Sequence, residues 1–228
     1  MIKALLGVVV LSFLAQDAPF NGKDLTGWKP KNAEKSKWKV GKASLDAADN
    51  KKLAVAEGGE LINAAAKHGD SADISTEAKW GDCVIELELM VPKGSNSGVY
   101  VMGEYEVQVL DSFGKPGDKM GQGDIGAIYG VAPPKVNASK APGEWQKMVI
   151  DFRAPKFGAD GKKTANAKFV KVELNGQVVQ ENGEMKGPTP GGLTGKEAPT
   201  GPIMFQGDHG PVAFRNIKIT ALKAVAAN

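Results

Sequence analysis

The stretch Tyr105-Glu106-Val107-Gln108-Val109-Leu110-Asp111 carries a carboxyl, an amide and a second carboxyl in close succession. Successive strand residues face opposite sides, so Val107 and Val109 are expected to pack inward while Glu106 and Gln108 share the outer surface. A bulge near Leu110 would turn Asp111 onto that same surface, because one extra residue reverses the facing. Acid and amide groups in such a row can bind sugar hydroxyls or move protons. A second polar cluster lies near the C-terminus, in Gln206-Gly207-Asp208-His209-Gly210 and then Phe214-Arg215-Asn216. Glycines on both sides of Asp208-His209 allow a tight turn. The imidazole of His209 could serve there as acid, base or donor near neutral pH. Asn96-Ser97-Gly98 precedes another strand and offers short polar side chains to a ligand or to its own turn. Tyr100 and Tyr129 are candidate stacking platforms for a sugar ring, whereas most of Trp28, Trp38, Trp80 and Trp145 are expected in the core. His68, beside Gly69-Asp70, reads as an ordinary loop residue.

The elements that must position these groups are short strands. Val84 to Val91 alternates, with Ile85, Leu87, Leu89 and Val91 on one face and Glu86 and Glu88 on the other, the period of a half-buried strand. Val99 to Met102 and Tyr105 to Leu110 flank a Gly103-Glu104 turn. Trp145 to Phe152, Phe169 to Leu174, Ile203 to Gln206 and Val212 to Ile219 are further runs, and Trp38 to Leu45 is another around Gly41. Asn175-Gly176 between two β-prone runs is a strong hairpin signal. Asn63 to Lys67 could form at most one helical turn. Asp111 to Ile125 and Gly183 to Thr200 read as long loops, a length often tied to function. Many short strands without a helical period predict an all-β sandwich or barrel.

Composition excludes several function classes. The formal net charge is +3 and the basic residues are dispersed, which argues against nucleic acid, since phosphate binding needs clustered positive charge. The single cysteine, Cys83, rules out an intrachain disulfide and reads as a small buried hydrophobe. Residues 1–15 resemble a signal peptide, with Lys3 as the charged start and Ala4 to Leu14 as a short apolar core. That run is too short for a membrane span. The expectation is a bacterial protein, secreted or periplasmic, with residues 16–228 forming a single domain and no membrane span in the mature chain. No oligomeric state follows from the sequence.

Six segments in order carry a resemblance: Phe20 to Trp28, Asn96 to Tyr100, Tyr105 to Asp111, Gly126 to Gly130, Pro142 to Gln146, and Gly201 to Ile203 through Phe214 to Ile217. On these the chain resembles the 3-keto-disaccharide hydrolase family. The resemblance implies a concanavalin A-like jelly-roll β-sandwich of two antiparallel sheets, as in lectins and glucanases, with the site on the concave sheet. It implies cleavage of glycosides already oxidised at carbon 3. The ketone acidifies the carbon 2 hydrogen; a base removes it, the enolate expels the group on carbon 1, and water adds back. Such a site needs a base, a stabiliser for the enolate oxygen and a proton source. In that scheme Glu106 is the expected base and His209 the proton donor or ketone polariser. Arg215 could stabilise enolate charge or pair with a structural carboxylate. Asn96, Ser97, Tyr100, Gln108, Tyr129 and Gln206 would hold the carbohydrate. Asp111 could bind substrate, act as a second acid/base group or ligate a metal, calcium being the cation left open. The Glu106, Gln108, Asp111 spacing resembles the acidic strand of laminarinase-type glucanases, but Gln108 replaces its middle acid, which speaks against ordinary two-carboxylate hydrolysis. The alternative is a non-catalytic carbohydrate-binding, lectin-like domain, and a cell-surface adhesion module ranks behind it.

Overall fold

The computed structural model describes residues 16–222; the signal-like segment 1–15 lies outside them. The elements in chain order are β1 (Gln16–Asp17), β2 (Trp28–Pro30), β3 (Trp38–Leu45), β4 (Leu53–Asn63), β5 (Ile74–Thr76), β6 (Cys83–Met90), β7 (Asn96–Val101), β8 (Tyr105–Leu110), a 3-10 turn (Gly117–Lys119), β9 (Gln146–Arg153), β10 (Lys156–Phe157), β11 (Lys163–Ala165), β12 (Ala167–Leu174), β13 (Gln177–Met185), β14 (Met204–Phe205) and β15 (Val212–Ala221). An eight-stranded antiparallel sheet runs β13-β12-β9-β6-β15-β4-β3, with β1 paired to β15. A five-stranded antiparallel sheet runs β2-β5-β14-β7-β8, and β10-β11 form a separate small hairpin. The expected all-β jelly-roll sandwich of two antiparallel sheets is what the chain forms.

Side-chain alternation explains how the sheets face each other. On β6 the inward residues Ile85, Leu87 and Leu89 are fully buried while Val84, Glu86 and Glu88 are half-buried. On the smaller sheet Val99, Val101, Val107 and Val109 join the same core. Phe205 of β14 stacks on Phe214 of β15, ring centroids 4.0 Å apart, and so joins the two layers. Truncating a buried aromatic of this kind typically costs about 3–5 kcal/mol. Cys83 is fully buried, and burial pushes its thiol up to about 12, so it is a packing residue and not a nucleophile.

The hairpin expected at Asn175-Gly176 joins β12 to β13, with both residues at positive φ, 52° and 80°. That conformation is what a two-residue hairpin turn demands. One segment is more extended than its sequence suggested. Asn63 to Lys67 makes no helical turn: Asn63 ends β4, an 11-residue strand. The Gly58-Gly59 pair inside β4 hid its pattern, and the register against β3 shifts there, between Gly41 and Lys42. After β9, Lys156–Phe157 and Lys163–Ala165 pair as the separate β10-β11 hairpin.

Candidate functional site

Strand register places one set of polar side chains together. Tyr100 lies opposite Glu106, Gly98 opposite Gln108 and Asn96 opposite Leu110 across β7 and β8. Met204 of β14 lies opposite Tyr100, and the Gln206 backbone amide donates to the Gly98 carbonyl at 3.0 Å. Directly opposed residues point to the same side, so Asn96, Tyr100, Glu106, Gln108 and Gln206 share the outer face of the five-stranded sheet. They line a cavity of about 170 Å³ together with Tyr129, Pro190, Gly191 and His209. The two distant polar stretches therefore do meet, as expected from the sequence.

Glu106 and Gln108 do not sit on a solvated surface, as the strand pattern alone suggested. They are 1% and 3% exposed, because the 186–203 loop and Tyr129 cover them. The loop is tied to the strand it covers. The Thr189 hydroxyl accepts from the Glu106 amide (2.9 Å) and donates to the Glu104 carbonyl (3.1 Å). The buried Glu104 carboxylate accepts from Thr194 N and Oγ1 and from Gly195 N.

Gly98 makes room for the acid. A Cβ there would lie 2.9 Å from the Glu106 Cδ and closer still to Oε1, so the carboxyl rests directly over this position. The Tyr100 hydroxyl donates to Glu106 Oε2 at 2.7 Å. Burial pushes the Glu106 carboxyl up to about 7; the Tyr100 hydrogen bond pulls it down, and the negative Asp73 and Asp208 push it up further. An acid tuned this way is half ionised near neutrality and suited to proton transfer. Burial and the Glu106 charge move the Tyr100 phenol far above its ordinary range, so it stays a donor.

His209 projects from the loop after β14. Its Nδ1 is hydrogen-bonded to Asp208 Oδ1, which leaves Nε2 as the ring nitrogen not held by Asp208. The His68 ring packs edge-on against it, centroids 4.5 Å apart. Sequence reasoning passed over His68, since nothing local links it to a residue so far along the chain. It also gave no role to Gly98 or to the Thr189 tether. Two amide oxygens of the cavity, Asn96 Oδ1 and Gln206 Oε1, are buried and have no hydrogen-bond partner. Such atoms cost free energy unless a ligand supplies donors.

Three expected site residues lie elsewhere. Ser97 is fully buried on the opposite face of β7, where its hydroxyl donates to the Gln206 carbonyl at 2.7 Å. The register between β7 and β8 runs without a shift to Asn96–Leu110, so the bulge expected near Leu110 is absent. Asp111 instead caps a turn, its carboxylate accepting from Gly94 N (2.8 Å) and Phe113 N (3.3 Å). Both oxygens are thus engaged, and among the described residues no three His, Cys, Asp or Glu side chains converge on a metal position. The residues around Asp111 thus do not fit the calcium left open above. Arg215 lies in the other sheet, opposite Glu88. Its guanidinium pairs with Glu88 (2.7 Å) and Glu60 (3.5 Å) and covers the Trp145 ring at 4.0 Å. The acidic outer face of β6 was the sequence signal for that pairing. Among the described residues no helix is long and apolar enough to cross a membrane.

Comparison with known proteins bears on the family and the fold. The profile of the 3-keto-alpha-glucoside-1,2-lyase-like domain matches residues 17–220. A Bacteroides thetaiotaomicron protein named 3-keto-disaccharide hydrolase is 27% identical over 156 residues, 58% of this chain and 50% of that one. The chain thus spans about half the length of this curated relative. A solved structure from Parabacteroides distasonis, provisionally assigned as a glycosyl hydrolase, is 27% identical with a TM-score of 0.70, covering 97% of this chain and 94% of its own. A second from the same organism, at 22% identity and a TM-score of 0.58, covers 91% and 94% and shares the fold. With a sandwich of this topology and a family match that runs through nearly every strand, the chain belongs to the 3-keto-alpha-glucoside-1,2-lyase-like domain family.

Proposed function

We propose that the protein is an exported hydrolase of 3-keto-glycosides and 3-keto-disaccharides, acting by carbon 2 proton abstraction, elimination and hydration. The observation that carries this reading is Glu106: a buried carboxyl, raised to about 7, in a ring-sized cavity with an Asp208-bound histidine. The ionised Glu106 removes the proton from carbon 2, and the electron pair moves onto the ketone oxygen as an enolate. The pair returns to form the carbon 1–carbon 2 double bond and expels the carbon 1 oxygen. His209 gives that oxygen its proton through Nε2, and Asp208 steadies the ring as the orienting acid does in other histidine sites. Hydration runs the path in reverse, with His209 taking a proton from water as it attacks carbon 1 and Glu106 returning its own to carbon 2. The buried oxygens of Asn96 and Gln206 accept from ring hydroxyls, and Tyr129 borders the ring.

The test is incubation with 3-keto-trehalose, followed by chromatography of the released sugar. Turnover by the wild type, with Glu106→Gln inactive but still binding, supports the reading. Unchanged turnover in Glu106→Gln removes the base assignment. Binding without any release by the wild type points to the lectin-like alternative, for which the unpartnered amide oxygens would serve equally well. Export is checked by the N-terminus of the mature protein, expected near Gln16.

A further inference from the structure

An enolate mechanism leaves one role unfilled, because Arg215, the residue with the most obvious charge for it, lies in the other sheet. The remaining polar groups of the cavity can be sorted by what their partners leave free. Tyr100 has its proton committed to Glu106. Asn96 and Gln206 carry buried, unpartnered oxygens that would repel a developing oxyanion, and Gln206 Nε2 is turned to the Tyr100 hydroxyl at 3.5 Å. Gln108 differs. Its Oε1 accepts from the backbone N–H of Val109 at 2.9 Å. A backbone N–H can only donate, so this contact fixes which end of the amide is oxygen. The NH₂ end is left toward the cavity that Gln108 lines, with no protein acceptor among the described residues.

We propose that Gln108 is a catalytic residue whose Nε2–H donates to the carbon 3 oxygen, holding the ketone in the ground state and the enolate once charge develops. This rests on the reaction proposed above. The position suits the chemistry. The proton leaves carbon 2 and the charge arrives on the oxygen of carbon 3, the neighbouring atom, so base and donor must stand side by side. Glu106 and Gln108 do so, two residues apart on one face of β8. Both are buried, where a fixed donor stabilises charge more than it would in water. The electron balance is simple: the C–H pair of carbon 2 becomes the carbon 2–carbon 3 double bond, the carbonyl pair moves to oxygen, and the proton is on Glu106.

The experiment separates enolisation from elimination. A 3-keto sugar bearing hydrogen in place of the carbon 1 oxygen substituent has no group to expel, and uptake of deuterium at its carbon 2 in D₂O reports proton transfer alone. The wild type is expected to catalyse this exchange. Gln108→Met, which keeps the size but removes the donor, is expected to slow exchange by about 10²–10³-fold and to weaken the affinity for the probe by much less. His209→Gln should fail to release sugar from 3-keto-trehalose while retaining measurable exchange, which separates its role from that of Gln108. Gln108→Asn supplies a donor that is one methylene short and should recover part of the loss, which checks that Gln108→Met is folded but chemically impaired. Exchange in Gln108→Met at the wild-type rate overturns the assignment. A wild type that neither exchanges the probe nor cleaves the glycoside instead overturns the reaction on which it rests.

Discussion

Glu106 should make the protein less stable at neutral pH than a version without it. Its carboxyl ordinarily titrates at 4.5 and in the fold at about 7. Below pH 4.5 the folded and unfolded chains both hold the proton, and the buried neutral acid carries no penalty. Between 4.5 and 7 the unfolded chain ionises first, so stability is lost as pH rises; above 7 the loss is complete. At about 1.4 kcal/mol per pH unit, the total is about 3 kcal/mol. The amide of Glu106→Gln cannot ionise and escapes this loss. It can still accept from the Tyr100 hydroxyl. Thermal melts of the wild type and Glu106→Gln from about pH 4 to about pH 9 isolate the effect, since all other groups are common to both. The mutant should gain on the wild type through the 4.5–7 interval and lead by roughly 6–12 °C above it, for a chain of this size. Parallel curves with a constant offset would refute the reasoning, because Glu106 would then titrate alike in both states.

Gly98→Ala should lower turnover on the order of 10²-fold, since a displaced reacting group costs about that much, while melting shifts by only a few degrees; equal turnover would mean the Glu106 carboxyl does not need the space over Gly98. His209→Gln should cut hydrolysis steeply for sugar leaving groups and little for an aryl 3-keto-glycoside whose phenolate leaves unaided, as a comparison of the two substrates by released phenol and sugar will show. Arg215→Met should leave turnover within about twofold and cost about 1 kcal/mol of stability, the scale of a half-exposed ion-pair network, read from denaturant titration.

The sheet layering was legible in the sequence wherever one face was apolar. The alternation of Ile85, Leu87 and Leu89, and of Val107 and Val109, is local and survives into the fold. It also put Glu106 and Gln108 on one side correctly. Their burial was not legible, because part of what covers them, Thr189 to Gly191, arrives from more than 80 residues away. Asp111 was misplaced for a related reason. The end of β8 could have bulged or simply stopped, and the choice is made by Gly94 and Ser95 beside the partner strand. Arg215 was ambiguous because a guanidinium suits a substrate oxyanion and a protein carboxylate alike. Glu88, opposite it in register, settles the matter in favour of the carboxylate. Gly98 gave no signal, since a glycine that clears space for a side chain reads like one that merely turns the chain.

The Glu104 clamp has a mechanical consequence. Roof and floor of the cavity hang from neighbouring residues of one chain segment: Glu104 grips Thr194 and Gly195, and the Glu106 backbone grips Thr189. Lifting the roof would break charge-assisted hydrogen bonds and strip the acid of its shelter in the same movement. The shape of the chamber is therefore tied to the fold of that one segment.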